Sequence, residues 1–138
     1  MESMTTPNDS NRISEREVLL VEDNLLNQMV AEKFLQDIGF TVSVAGSGIT
    51  ALKLMEQKEF AFVLMDLQLP GMDGYETTRA VRQMKKYREI PIIAMTAHDI
   101  NGEEEKCKQA GINDFVSKPI NSDVLKEKIN RLLNLKIK

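Results

Sequence analysis

The sequence predicts an α/β domain, a doubly wound five-stranded parallel sheet built as a (βα)5 repeat. Three observations predict it. Short apolar runs alternate with longer segments whose apolar residues recur at helical spacing. Two of the runs, and much of a third, are continuous rather than alternating, which suits strands covered on both faces. Gly, Ser, Asn and Pro mark the changes from one kind of segment to the other. Such a repeat implies right-handed crossovers and a functional site beyond the carboxyl ends of the strands.

The elements follow in order. Residues 1–16 are rich in Ser, Thr, Asn and charge and read as a flexible arm, leaving 17–136 as the folded domain. The first strand, 18–21, ends at Glu22-Asp23-Asn24. A helix then carries Leu26, Met29, Val30, Phe34 and Ile38 as its apolar stripe and stops at Gly39. Residues 41–45 form a second strand, and Ser47 caps a helix bearing Ala51, Leu52, Leu54 and Met55. The third strand, 61–65, ends at Asp66. Asp73-Gly74-Tyr75-Glu76 has capping-box spacing and opens a helix running to about residue 86. Pro91 precedes a fourth strand, 92–95, that ends at Thr96. A polar helix spans about 102–110 and is stopped by Gly111. The fifth strand, 114–117, ends at Lys118-Pro119, and Asn121 caps a last helix bearing Val124, Leu125, Ile129, Leu132 and Leu133.

Composition narrows the function. A chain of 138 residues suits one domain, and 42% hydrophobic residues suffice for one core. With aromatics at 5% and eight Met, that core is aliphatic, and Met55, Met65, Met84 and Met95 read as its filler. A net charge of −3 argues against direct binding of nucleic acid or of a membrane surface. The single Cys107 excludes an internal disulfide and a multi-cysteine metal site, which makes the cytoplasm the expected compartment. No apolar run approaches the roughly 18 residues of a membrane span, and the polar N-terminus does not read as a signal peptide.

The strand ends carry the chemistry. Glu22 and Asp23 follow strand one, Asp66 strand three, Thr96 strand four and Lys118 strand five. Three carboxylates at one sheet edge would raise each other's pKa, and a hard divalent cation relieves that repulsion. Mg²⁺ prefers carboxylate oxygen and commonly shares a site with phosphate. A Thr hydroxyl and a Lys ammonium at the same spot complement phosphate oxygens.

At these residues the chain resembles the receiver domain of two-component response regulators and hybrid histidine kinases, the CheY-like, flavodoxin-like fold. Val21-Glu22-Asp23-Asn24-Leu25-Leu26-Asn27-Gln28 resembles the family's acidic-pair motif and first helix. Leu64-Met65-Asp66-Leu67-Gln68-Leu69-Pro70-Gly71-Met72-Asp73-Gly74 resembles its phosphorylation loop. Pro91-Ile92-Ile93-Ala94-Met95-Thr96-Ala97 resembles its Thr/Ser motif, and Phe115-Val116-Ser117-Lys118-Pro119-Ile120 its Lys-Pro motif. The wording is nearer to receivers of hybrid kinases and phosphorelays than to those of transcription-factor regulators.

The resemblance implies strand order 2-1-3-4-5 and a role for each matched residue. Asp66 would be phosphorylated by a histidine kinase or a histidine phosphotransfer protein. Mg²⁺, for which Mn²⁺ could substitute, would be held by Glu22, Asp23, Asp66 and the main-chain carbonyl of Gln68. Lys118 would offset phosphoryl charge, Thr96 would bind the phosphoryl group, and Phe115 would be the aromatic switch. The readout would lie on the fourth helix, fifth strand and fifth helix, toward an unknown downstream effector. The chain would be a monomer or a weak phosphorylation-dependent dimer, and would catalyse only its own phosphorylation and dephosphorylation. A cis Lys118–Pro119 bond is also expected.

Other readings compete with these. A haloacid-dehalogenase-type phosphatase also uses an Asp nucleophile with Mg²⁺, but carries an acid and a Thr where this chain has Gln68 and Pro70. A flavin or nucleotide binder would need a Gly-rich loop where Glu22 and Asp23 stand. A receiver used only for docking would lack one of the five site residues. Taken singly, Glu22, Asp23 and Asp66 read as ordinary loop acids, Thr96 as a strand end and Lys118 as a solvated lysine. Phe115 is expected to be partly buried whatever its role. Cys107 reads as a bystander, Glu103-Glu104-Glu105 as a solvated first turn, and His98 as a solvent-facing residue near the site mouth that modulates phosphoryl lifetime.

Overall fold

The computed structural model describes residues 16–97 and 100–135. The arm, Arg16 excepted, the last residue of the expected domain and His98 lie outside the described residues. The order is β1 (Glu17–Val21), α1 (Leu25–Ile38), β2 (Thr41–Ala45), α2 (Gly48–Gln57), β3 (Phe62–Asp66), α3 (Gly74–Gln83), a 3₁₀ turn (Lys85–Tyr87), β4 (Ile92–Thr96), α4 (Ile100–Ala110), β5 (Asp114–Ser117) and α5 (Ser122–Leu133). All neighbouring strands pair in parallel, in the order β2-β1-β3-β4-β5.

Alternation along each strand divides the core in two. Leu19, Val21, Val63, Met65, Ile92 and Ala94 face one side, where Ala51 and Met55 of α2, Val81 of α3 and Cys107 of α4 cover them. Val18, Leu20, Phe62, Leu64, Ile93 and Met95 face the other, under Ala31 and Leu35 of α1 and Leu125 and Ile129 of α5. Every residue of β1, β3 and β4 is buried, because helices cover both faces.

Local chemistry sets the helix ends. Ser47 accepts from the Thr50 amide at 3.1 Å. Asp73 and Glu76 close a reciprocal capping box, at 2.8 and 3.1 Å. Asn121 accepts from the amides of Asp123 and Val124. Gly39 and Gly111 end α1 and α4 at φ +121° and +100°, a region that favours glycine.

Three expectations need correction, and Cys107, read as a bystander, gains a structural place. The third helix stops at Gln83, because Met84 turns extended at ψ 122° and a 3₁₀ turn follows. The fourth helix begins at Ile100, two residues before the expected start. Cys107 is a core residue, since its turn of α4 faces the sheet. The largest change concerns α1. Its inward face is Ala31 and Leu35, whereas Leu26, Met29 and Val30 are 67%, 59% and 42% exposed. Leu26 and Val30 line a groove that they share with Glu22, Met95 and the loop of Lys118, Pro119 and Ile120.

Candidate functional site

The site forms where β1, β3, β4 and β5 end together. Parallel register sets the ends level: Val21 pairs with Met65, Asp66 with Met95, and Thr96 with Ser117. The residues next along each strand therefore converge. Glu22, Asp66 and Thr96 are buried and Asp23 is exposed. Ligand oxygens of Glu22, Asp23 and Asp66 lie within 4.8 Å of one another.

Lys118 reaches this cluster from beyond β5. Its Nζ is 3.0 Å from Asp66 Oδ2 and 3.2 Å from Glu22 Oε1. The Lys118 amide donates to the Thr96 carbonyl at 2.8 Å, which ties the Lys118 loop to the end of β4. The Lys118–Pro119 bond is cis, as expected. Asp66 Oδ1 accepts from the Gln68 amide at 3.0 Å, so the loop after β3 curls back over its own carboxylate. Glu22 Oε2 accepts from the Asn24 amide at 3.1 Å. Its other oxygen, Oε1, has the ammonium beside it but no aligned hydrogen bond, although it is buried.

The charges perturb one another. Burial pushes the Glu22 carboxyl above its usual 4.5, and the Asp66 carboxylate adds to this; the Asn24 amide and Lys118 oppose it. Burial alone would lower Lys118, but its contacts with Asp66 and Glu22 outweigh that and raise it. Three carboxylates gather here, and the Lys118 ammonium bridges two of them. The excess negative charge, the oxygen-only donor set and the under-bonded Glu22 Oε1 all fit a hard divalent cation.

Glycine lets the loop after β3 close. A Cβ on Gly74 would run into the Asp66 carbonyl oxygen and come within 2.7 Å of Leu67 Cα. The first residue of α3 thus packs directly on the backbone of Asp66, and the Gly74 amide donates to the Leu67 carbonyl at 3.2 Å.

Thr96 ends β4 beside the charged cluster, and Phe115 lies one strand over on β5. Phe115 pairs in register with Ala94 and packs with the core on the side of α2, α3 and α4. Strand alternation places Thr96 on that same side, two residues past Ala94. Phe115 is partly buried, and the Lys128 ammonium stands 5.6 Å from its ring centre while pairing with Asp114 at 2.8 Å. The first-turn acid Glu103 is not merely solvated: it accepts from the Tyr75 hydroxyl at 2.8 and 2.7 Å, joining α4 to α3.

Sequence reasoning missed the exposed apolar face of α1, formed by Leu25, Leu26, Met29 and Val30. A signal was available: Ala31 and Leu35, four apart, already supply an inward face.

Comparison with known proteins gives one answer. The family model for the response regulator receiver domain matches residues 18–130. The chain is 37% identical over 129 residues to hybrid signal transduction histidine kinase B of Dictyostelium discoideum, covering 85% of this chain but only 7% of that protein. The receiver domain of a sensor histidine kinase from Pseudomonas aeruginosa, solved with a magnesium ion coordinated in its active site cleft, superposes with a TM-score of 0.80 at 40% identity, covering 86% of this chain and 98% of that one. A second likeness is to a Saccharomyces cerevisiae complex of the histidine phosphotransfer protein Ypd1 with the receiver domain of its downstream regulator Ssk1. It has a TM-score of 0.77 at 29% identity, over 84% of this chain and 87% of that one. Among the described residues, no helix is long and apolar enough to cross a membrane.

Proposed function

The chain belongs to the response regulator receiver domain family of two-component and phosphorelay signalling, and from that premise we propose that residues 17–136 form its phosphoacceptor unit, with Asp66 the residue phosphorylated. The observation that carries the reading is Lys118 Nζ bridging Asp66 and Glu22 inside a cluster of three carboxylates.

An Asp66 carboxylate oxygen attacks the phosphorus of a donor phosphohistidine. The new P–O bond makes an acyl phosphate, the P–N bond breaks, and its electron pair stays on the imidazole nitrogen. Glu22, Asp23, Asp66 and the Gln68 carbonyl would hold Mg²⁺, or Mn²⁺ in its place. When bound, that ion supplies charge stabilisation for the phosphoryl oxygens. Lys118 contributes a second positive charge already positioned on Asp66. The chemistry is confined to this aspartate; no separate substrate is turned over.

Phosphorylation rearranges the charge around Lys118, whose backbone is bonded to Thr96. Thr96 then turns to the phosphoryl group, and Phe115, on the same side of the sheet, repacks. The face of α4, β5 and α5 changes with it, and an effector reads that face.

The phosphodonor docks on the exposed apolar residues of α1 beside the groove that opens onto Glu22 and Lys118. The likeness to the Ypd1–Ssk1 complex supports a histidine phosphotransfer protein as one class of donor. A buried, free cysteine accords with a reducing cytoplasm.

The test is labelling with acetyl phosphate and Mg²⁺. A phosphoryl group removable by hydroxylamine is expected on wild type and none on Asp66→Asn. Labelling that survives Asp66→Asn would end the proposal.

A further inference from the structure

Gln28 lies on α1, outside the charged cluster, yet its side chain does not serve the helix. The N-cap of α1 is Asn24, whose side chain accepts from the Asn27 amide at 3.0 Å. Gln28 instead donates through Nε2 to the main-chain carbonyl of Glu22 at 2.6 Å. That carbonyl belongs to the peptide joining Glu22 to Asp23. The Glu22 amide is held in turn by the Ala45 carbonyl at 3.0 Å. The Gln28 amide group also packs on the loop after β2, where a Cβ on Gly46 would touch Nε2 at 4.0 Å.

We propose that Gln28 is a positioning residue for metal binding: its amide fixes the Glu22–Asp23 peptide and so aims the exposed Asp23 carboxylate at Glu22 and Asp66. Burial and the Asn24 amide hold the Glu22 side chain without Gln28. Asp23 has no such burial. Its place within 4.8 Å of the other two carboxylates depends on the backbone that carries it. Without the Gln28 donor, that peptide rotates more freely and its carbonyl turns to water. The Asp23 carboxylate then spends less time converged with its partners, and the cation must supply the ordering.

The inference rests on the proposed metal site, and the experiment separates the two. Gln28→Met keeps length and helix propensity but removes the donor. Wild type and Gln28→Met are titrated with Mg²⁺ by NMR, and their melting temperatures are compared without metal. The Mg²⁺ dissociation constant is expected to rise roughly tenfold, the lower end for loss of an outer partner of a metal site, with the melting temperature nearly unchanged. In the metal-free proteins the Asp23 amide signal should shift, because the hydrogen bond to the carbonyl of its own peptide is gone. If wild type does not bind Mg²⁺, the metal reading fails, and the metal-free Asp23 amide still decides the role of Gln28. An unmoved Asp23 amide, or equal Mg²⁺ affinity in the two proteins, overturns the inference.

Discussion

Lys118→Met isolates the electrostatics of the site. The ammonium lies 3.0 Å from Asp66 Oδ2 and 3.2 Å from Glu22 Oε1, with its side chain only 20% exposed. At an effective dielectric constant of about 20, each contact is worth about 5 kcal/mol before desolvation is counted. Desolvation of three partly buried charges takes back most of that. What the substitution leaves is a pair of buried carboxylates without a counter-charge, a change that typically costs about 3–5 kcal/mol. At a urea slope of about 1.5 kcal/mol per molar, a loss of 3 kcal/mol lowers the midpoint by about 2 M.

That loss depends on pH and metal. Glu22 already titrates above its usual 4.5 in the folded state, and without Lys118 it rises further. The folded protein then binds more protons than the unfolded chain in the window above 4.5, so stability falls as pH rises through that window and returns as pH falls toward it. Mg²⁺ bound at the proposed site would take the place of the missing cation. Urea unfolding in chelator and in millimolar Mg²⁺, at about pH 8 and about pH 5, reads both effects. Lys118→Met should be unstable in chelator at the higher pH, and should gain more than wild type from acid and from Mg²⁺. An unchanged midpoint in chelator, or a Mg²⁺ gain no larger than that of wild type, would refute the reasoning.

Further expectations follow from other contacts. Gly74→Ala forces a Cβ against the backbone of Asp66 and Leu67, and should cost about 3 kcal/mol in urea unfolding and slow acetyl phosphate labelling. Met29→Asp, at a residue 59% exposed on α1, should slow transfer from a phosphohistidine protein at least about tenfold more than it slows labelling by acetyl phosphate, since a buried Met is worth about 2 kcal/mol; equal slowing would remove α1 from the docking surface. Tyr75→Phe deletes the hydroxyl that bonds both Glu103 oxygens. It should cost about 1.5 kcal/mol and speed amide exchange across α4; unchanged exchange there would show that the α3–α4 link is inert.

The element order was legible in the chain because its signals are local. Continuous apolar runs marked β3 and β4, Ser47, Asp73 and Asn121 marked helix starts, and Gly39 and Gly111 marked helix ends. The convergence of Glu22, Asp23, Asp66 and Lys118 was legible for a related reason: in a parallel sheet, whatever follows each strand reaches one edge.

Tertiary structure decided the rest. The apolar period of α1 could not say which part of its stripe would be covered, because that depends on which way the helix turns toward the sheet. Ala31 and Leu35 met the sheet, while Leu26 and Met29 stand on nearly the opposite side of the helix and stay exposed. The polar sequence of α4 hid Cys107, which faces the core, and Glu103, which meets Tyr75 from another helix. That one ammonium bridges two buried carboxylates, leaving Glu22 Oε1 under-bonded, follows from distances across the sheet. Propensity and spacing belong to the chain by itself; partners for charge and cover for apolar surface come only from segments far away in sequence.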